Sequence, residues 1–93
     1  MMPDLPFMYY TYVIYSIKYD RIYIGQTSNL ENRLSCHNSC KVRSTKHYVP
    51  WKLVYSEQFP SRSDAMIREL EFKSHKGRDF IRQQLVRVRQ LPD

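Results

Sequence analysis

One acidic residue in the C-terminal half, Glu69, is predicted to lie among apolar side chains, where its carboxylate needs a partner. If residues 63–74 form a helix, Glu69 falls about 40° from Ala65, inside an arc of apolar side chains. A carboxylate there is costly unless it pairs with a cation or binds a metal ion. Lys73 offers an i,i+4 ion pair, so both interpretations stay open at this point. The apolar arc comprises four residues: Ala65, Met66, Leu70 and Phe72.

Basic residues cluster in the middle of the chain. The 93 residues include 15 Lys and Arg against 9 Asp and Glu, which gives a net charge of +6. A local excess of positive charge indicates an anionic partner, nucleic acid first, although a solvated surface has a similar composition. Between Glu31 and Glu57 there is no acidic residue and there are five basic ones: Arg33, Lys41, Arg43, Lys46 and Lys52.

The spacing of the cysteines argues against a metal site. Cys36 and Cys40 have neither the two-residue spacing nor the second pair of a zinc site, and His37 and His47 complete no common pattern. We interpret both cysteines as free thiols, which predicts a reducing, cytoplasmic location.

The length restricts the chain to one small domain, predicted over residues 1–93, in which residues 1–7 form a flexible tail. Hydrophobic residues make up 42% and charged residues 26%, a globular composition. No apolar run approaches the roughly 18 residues of a membrane-spanning helix, and no signal peptide is expected. We therefore expect no membrane partner.

The candidate residues need elements to position them, and the first is a hairpin. Residues 9–17 and 21–25 are rich in β-forming side chains and predict two paired strands. With a loop of two or four residues, positions whose numbers sum to 39 lie opposite each other. Because side chains alternate, Tyr12 and Tyr23 share a mixed face suited to a site, whereas Tyr15 lies on the apolar face.

The remaining elements follow from caps and periodicity. A capping box at residues 28–31 predicts a helix over residues 29–38. Arg33 and His37 fall within about 60° of Leu30, so both border the buried side of that helix. Four further elements are predicted: a basic loop over 39–50, a strand over 51–59, a helix over 63–74 capped by Ser61 or Ser63 and broken near Gly77, and a helix over 78–90.

An ordered series of motifs spans residues 10–82. Its members are Y23-IGQT, N29-LENRL, H37-N, P50-WKLVY, R68-ELEFK and K76-GRDF. In this order they resemble the small stand-alone bacterial members of the GIY-YIG nuclease superfamily. Gln26 departs from the Lys found at this position in some repair nucleases of that superfamily.

The first motif of the resemblance is divergent. In the small members its tyrosine lies about eleven positions before that of the second motif, which selects Tyr12. The motif then reads Tyr10-Thr11-Tyr12, without the Gly or Ile of the family name. The shared face of Tyr12 and Tyr23 agrees with this choice, and Tyr15 is predicted to be a core aromatic.

The resemblance implies an α+β fold in β-β-α-β-α-α order, with a three-stranded antiparallel sheet packed by helices. It implies hydrolysis of a DNA phosphodiester with one divalent ion, Mg²⁺ or Mn²⁺. Glu69 would bind the metal, and Arg33 would hold the phosphate. Tyr12 is the first choice for the general base, with Tyr23 orienting the water or the phosphate, an order that stays open. His37 would contact a phosphate oxygen or assist the base.

Four lysine and arginine side chains are expected to contact the DNA backbone with Arg33: Lys41, Arg43, Lys46 and Lys73. Such contacts position a strand without reading its sequence. We therefore expect selectivity for DNA structure, or guidance by a protein partner, in repair or recombination. The degenerate first motif keeps an alternative open, a nucleic-acid-binding module with weak or no catalysis.

Overall fold

A three-stranded antiparallel sheet organises the chain, of which a computed structural model describes residues 8–86. The strand order is β2-β1-β3, so β1 is central. The strands are β1 (Tyr9–Ser16), β2 (Arg21–Thr27) and β3 (Lys52–Phe59). The helices are α1 (Leu30–Asn38), α2 (Arg62–Lys73) and α3 (His75–Phe80), with a 3₁₀ turn at Lys46–Tyr48 and a π-helical turn at Ile81–Val86. The predicted α+β class and antiparallel sheet are confirmed.

Two predictions fall partly outside this range. The tail over residues 1–7 and the end of the helix predicted over 78–90 lie beyond the described residues. Within residues 8–86, no helix is long and apolar enough to span a membrane.

Both faces of the central strand are covered. One face packs against α2 and the π-helical turn, and the other packs against α1 and the loop that precedes β3. Burial of such side chains contributes roughly 1.5–3 kcal/mol each, so the sheet is held from both sides. The first face carries Val13, Tyr15, Ile24, Val54, Phe72, Ile81 and Val86. The second carries Tyr12, Ile14 and Trp51, with Tyr23, Leu30 and Leu34 packed beside them.

The hairpin register differs from the predicted one by two residues. Tyr12 lies opposite Gly25, so partner numbers sum to 37 rather than 39. The loop is residues 17–20, ending at Asp20 with φ 53°, and the Asp20 carboxylate accepts hydrogen bonds from Tyr15 (2.7 Å) and Arg82 (2.8 Å). These contacts fix the loop one position earlier than expected. Because side chains alternate with period two, the shift preserves every face assignment.

Helix α1 begins one residue later than predicted, because its N-cap is one position further along the chain. Asn29, not Ser28, is the N-cap, and its side chain accepts a hydrogen bond from the backbone N–H of Asn32 at 3.0 Å. Asparagine suits this role because its short side chain reaches the free N–H groups of the first turn. The helical phase is unchanged, so Arg33 and His37 keep the orientation that the sequence predicts.

The end of α2 was predicted to within one residue, but the break was not. Helix α2 is capped by Ser61, one of the two predicted caps, and it ends at Lys73 with Ser74 as its C-cap, not with a break near Gly77. The Ser74 side chain also caps α3 by accepting from the N–H of Gly77 at 3.1 Å. A Cβ on Gly77 would lie 2.2 Å from the carbonyl oxygen of Glu71. Gly77 therefore serves the close approach of α3 to α2, not a helix break.

The buried side of α2 is narrower than predicted. Ala65 and Phe72 are buried, but Met66 is 48% and Leu70 is 68% exposed. The prediction that these two residues lie in a buried arc was wrong, because α2 rests on the sheet along one narrow stripe. Glu69 lies at the border of that stripe, with a side chain that is 20% exposed.

Candidate active site

The site face of the hairpin is built around the pairing of Tyr12 with Gly25. The Tyr12 side chain is 1% exposed and its ring lies across the neighbouring strand. A Cβ on Gly25 would lie 2.7 Å from the Tyr12 hydroxyl oxygen and 2.8 Å from Cζ. Glycine is therefore required here because a phenol occupies the space of its side chain. The sequence predicted a close approach at this position, without identifying its partner.

A chain of hydrogen bonds leads from Tyr12 into the protein. The Tyr12 hydroxyl lies 2.8 Å from His37 Nε2, and His37 Nδ1 lies 2.8 Å from Thr45 Oγ1. The Thr45 hydroxyl donates to the carbonyl of Val42, which leaves its oxygen free to accept from His37 Nδ1–H. Nε2 then carries the lone pair and accepts from Tyr12. This bonding pattern assigns the neutral Nδ1–H tautomer.

The protonation of both rings follows from burial. Burial and the nearby charge of Arg33 lower the pKa of His37 to about 4. Burial is also the main reason that the pKa of Tyr12 is raised to about 12. Both groups are therefore neutral at neutral pH, in agreement with the tautomer that the hydrogen bonds require.

Arg33 lies beside both tyrosines. Helix α1 places it one turn before His37, and the hydroxyls of Tyr12 and Tyr23 raise the pKa of its guanidinium. In the part of the chain that the structure describes, Arg33 makes no ion pair with a carboxylate. A permanent cation without a carboxylate partner among the described residues is available to an anion from solution, and its forked donors match a phosphate.

Tyr23 packs among the aromatic rings of the same face. It is half-buried, and its ring centroid lies 4.9 Å from His37 and 6.4 Å from both Tyr12 and Trp51. The Trp51 indole donates to the Thr45 carbonyl at 2.9 Å, so it fixes the loop that supports His37. Sequence reasoning missed Thr45 entirely. Trp51 was included in a motif but had no predicted role.

Glu69 lies on α2, which packs on the face of the sheet opposite to that of Tyr12. Its charge contributes to the raised pKa of Tyr12. Its Oε2 atom lies 2.6 Å from Lys73 Nζ, so the ion pair that the helical spacing offered does form. Lys73, predicted as a DNA contact, is engaged with Glu69 in this structure.

The structure brings four of the five predicted site residues into contact: Tyr12, Tyr23, Arg33 and His37. Glu69 is linked to this group through its charge, which acts on Tyr12. In this arrangement Arg33 can hold a phosphate, and a proton can move along the hydrogen bond between Tyr12 and His37.

The donor set also decides what kind of metal ion fits. No group of three His, Cys, Asp or Glu side chains within residues 8–86 could hold a metal. Glu69 supplies a single, partly exposed carboxylate. Mg²⁺ retains several waters and is often bound by one or two carboxylates and a substrate phosphate. The residues present therefore fit a hydrated hard cation with Glu69 as its protein ligand.

The predicted DNA-contacting loop lies next to α1. The Asn38 side chain and the Trp51 backbone exchange two hydrogen bonds, of 3.0 and 2.6 Å, which close the loop between them. Three basic side chains on this loop are exposed: Lys41, Arg43 and Lys46. The loop therefore presents positive charge beside the helix that carries Arg33.

Comparisons with known proteins identify the family of the chain. The sequence model of the GIY-YIG catalytic domain matches residues 8–83. The chain is 40% identical over 81 residues to the UPF0213 protein SH2523 of Staphylococcus haemolyticus, covering 86% of this chain and 92% of that protein. It is 39% identical over 67 residues to the UPF0213 protein CPE1444 of Clostridium perfringens, covering 71% of each. The solution NMR structure of the UPF0213 protein BH0048 from Bacillus halodurans is 28% identical, with a TM-score of 0.49, over 91% of this chain and 88% of that one.

Proposed function

The chain belongs to the GIY-YIG family, and from that membership we propose that it is a divalent-metal-dependent DNA endonuclease. The GIY-YIG domain indicates nuclease-type chemistry in general. The observation that carries the proposal for this chain is the convergence of Tyr12, Tyr23 and Arg33, with the charge of Glu69 close enough to act on Tyr12. The hairpin and α1 bring these side chains around Arg33, a cation that forms no ion pair with a carboxylate within residues 8–86.

Arg33 holds the phosphodiester in this proposal. Its guanidinium is charged at every working pH and donates in a fork that two phosphate oxygens can accept. Tyr23, half-buried beside it, orients the attacking water or the phosphate. Fixing the phosphate next to the hydroxyls reduces the entropy cost of the reaction, which is a large part of what an active site contributes.

Tyr12 acts as the base without first ionising. A phenol with a pKa near 12 is almost wholly protonated at neutral pH. Its proton points at the lone pair of His37 Nε2, so Tyr12 accepts a proton from water as its own passes to the imidazole. A phosphate bound to Arg33 offsets the Arg33 charge, which together with burial lowers the pKa of His37, and so makes the imidazole a better proton acceptor.

Glu69 would hold the divalent ion, which supplies charge stabilisation for the phosphate and the leaving oxygen when bound. Binding an ion there would require Glu69 to release Lys73. Lys73 would then be available to the DNA backbone, the role predicted for it from sequence.

Substrate selection is by DNA structure rather than sequence in this proposal. The exposed side chains of Lys41, Arg43 and Lys46 suit phosphate contacts, which carry no sequence information. Branched or flapped DNA met in repair or recombination is the proposed substrate, and a protein partner would supply any further targeting.

The alternative is a nucleic-acid-binding module with weak or no turnover. Two observations favour it: the Glu69–Lys73 ion pair occupies the proposed metal ligand, and the first motif reads Tyr10-Thr11-Tyr12. This alternative predicts binding that weakens steeply with salt, without product under any metal.

The deciding experiment compares two glutamates of the same helix. Plasmid and branched DNA are incubated with Mg²⁺ or Mn²⁺ and the wild type, Glu69→Gln or Glu71→Gln. We expect Glu69→Gln to lower the cleavage rate by about 100-fold or more, the size typical of losing one charge-stabilising group. Glu71, which pairs with Arg68 and is 57% exposed, is the matched control and should stay near the wild-type rate. Equal trace cleavage by the wild type and Glu69→Gln would leave only the binding module.

A further inference from the structure

A second aromatic cluster lies at the hairpin end of the sheet, apart from the proposed active site. The rings of Tyr19 and Tyr48 meet edge to face with their centroids 5.5 Å apart. The Arg21 guanidinium lies 4.5 Å from the Tyr48 centroid, and the Lys18 ammonium lies 5.5 Å from the Tyr19 centroid. We refer to these four residues as the aromatic platform. Rings with cations against them are the combination that single-stranded nucleic acid recognises.

The platform is open to solvent. Tyr19 is 44% exposed at the tip of the hairpin, and Lys18 and Arg21 are exposed beside it. Tyr48 is half-buried, and the aromatic core of the second sheet face supports it from below. The Tyr19 ring is too exposed to add much to the core. The more buried Tyr48 ring packs against it and holds it in position.

The charge of the platform is also unopposed. Within residues 8–86, neither Lys18 nor Arg21 forms an ion pair with a carboxylate. The adjacent carboxylate, Asp20, is engaged by Arg82 and by Tyr15, which lies on the other face of the sheet. An anionic ligand therefore meets two cations here and no free acid.

The platform lies on the same face of the sheet as the proposed active site. Arg21, Tyr23 and Gly25 alternate along β2, so their side chains share that face. Arg21 and Gly25 are four residues apart, about 13 Å along a strand. That distance is short enough for one nucleic-acid strand to contact both places.

We propose that the aromatic platform of Tyr19, Tyr48, Lys18 and Arg21 is a binding subsite for an unpaired nucleobase. The base stacks on the exposed Tyr19 ring, and the two cations bind the flanking phosphates. This inference rests on the proposed nuclease function and deepens it, because it defines the substrate class. The DNA carries an unpaired segment close to the bond that is cut, as a flap, a fork or a frayed end does.

The test measures whether bases contribute to binding at the platform. Fluorescence anisotropy with EDTA present compares a short thymidine oligomer with an oligomer of the same length made of abasic units. Phosphate contacts are equal in the two, so the ratio of their dissociation constants reports stacking. We expect the wild type to bind the thymidine oligomer about fivefold more tightly or better.

Three variants test whether Tyr19 is the source of the preference for the thymidine oligomer. Tyr19→Leu should bring it close to unity, and Tyr19→Trp, which keeps an aromatic ring, should preserve or increase it. Tyr9→Leu is the matched control, because Tyr9 also carries a guanidinium over its ring, that of Arg62 at 4.8 Å. It should keep the wild-type ratio, and circular dichroism verifies that each variant is folded.

The outcomes separate this proposal from the nuclease itself. A wild-type ratio near unity, or a folded Tyr19→Leu variant that keeps the wild-type ratio, overturns the platform even if DNA is cleaved. A stacking ratio that Tyr19→Leu abolishes supports the platform even if no metal produces cleavage, in which case only the nuclease proposal fails. If both proposals hold, Tyr19→Leu lowers the cleavage of forked DNA about fivefold relative to full duplex.

Discussion

Two groups in this molecule contain a tyrosine, an arginine and a glutamate. In the closed group, Arg68 makes a two-pronged ion pair with Glu57 at 3.0 and 3.1 Å, and Tyr55 donates to the same carboxylate. In the open group, Tyr12 and Arg33 lie together and Glu69 is near, but the arginine and the glutamate are not paired. Glu69 pairs instead with Lys73.

The closed group satisfies its own charges. Burial alone would raise the pKa of Glu57, but the hydrogen bonds from Arg68 and Tyr55 hold it below its usual value. The contact with Glu57 raises the pKa of Arg68 in return, and its guanidinium also stacks on the Phe72 ring at 4.3 Å. Arg68 also pairs with Glu71, so its charge is fully engaged and this group stabilises the packing of α2 on β3.

The open group leaves its cation available. Arg33 lies beside the hydroxyls of Tyr12 and Tyr23, and Glu69 pairs with Lys73 rather than with Arg33. The same three residue types therefore serve packing in one place and suit phosphate binding in the other. What differs is whether the fold lets the arginine and the glutamate meet.

Replacing each arginine by alanine should give the largest difference between the two groups. We expect Arg33→Ala to lower cleavage by about 100- to 1,000-fold, since the phosphate loses its charged donor, with little change in stability. Arg68→Ala should lower the free energy of unfolding by about 1 kcal/mol through lost pairing and packing, with nearly unchanged cleavage. Cleavage rates and urea unfolding measure the two. Equal effects of both variants on both quantities would show that the groups do not differ.

The buried histidine of the open group should make stability depend on pH. Because the folded state lowers the pKa of His37 to about 4, the unfolded chain binds a proton that the folded chain refuses between pH 6.5 and 4. Stability is therefore fully present above pH 6.5 and falls on acidification through that window, by up to about 3 kcal/mol.

Urea unfolding at several pH values tests this. His37→Gln should show a shallower loss than the wild type between pH 6.5 and 4. The exposed His47 is the matched control, and His47→Gln should retain the wild-type slope. A His37→Gln variant with the full wild-type slope would mean that other groups cause the loss.

The smallest expected effect concerns Gly25. A methyl group there would overlap the Tyr12 hydroxyl and Cζ, both less than 3 Å from the added carbon, and the ring would have to move. We expect Gly25→Ala to cost about 1–3 kcal/mol of stability, as overpacking of a well-filled site does. It should also reduce cleavage, because the Tyr12–His37 contact shifts. Unchanged thermal unfolding would show that Tyr12 is not confined by the glycine.

The faces to which the strand side chains point were predicted correctly, even though the hairpin register was not. The register of the hairpin was two residues off, yet Tyr12 and Tyr23 share a face and Tyr15 lies in the core, as predicted. A period of two makes face assignments insensitive to an even shift. The helical phase of α1 was equally robust, although its cap is Asn29.

Burial around α2 was less predictable. Periodicity marked Met66 and Leu70 as apolar, but it cannot say how wide a stripe the sheet covers. The position of Gly77 inside α3 likewise depends on the approach of α2, a contact between two elements.

The sequence alone determined the types and phases of the elements and the residues able to do chemistry, because periodicity, caps and turns act over a few residues. Only the tertiary structure decided how these residues are paired. It placed Thr45 behind His37, laid the Tyr12 ring over Gly25, joined Glu69 to Lys73 and kept Arg33 apart from any carboxylate in the described chain. The contacts that set the site join segments distant along the chain, and those distances are fixed by packing on the two faces of the central strand.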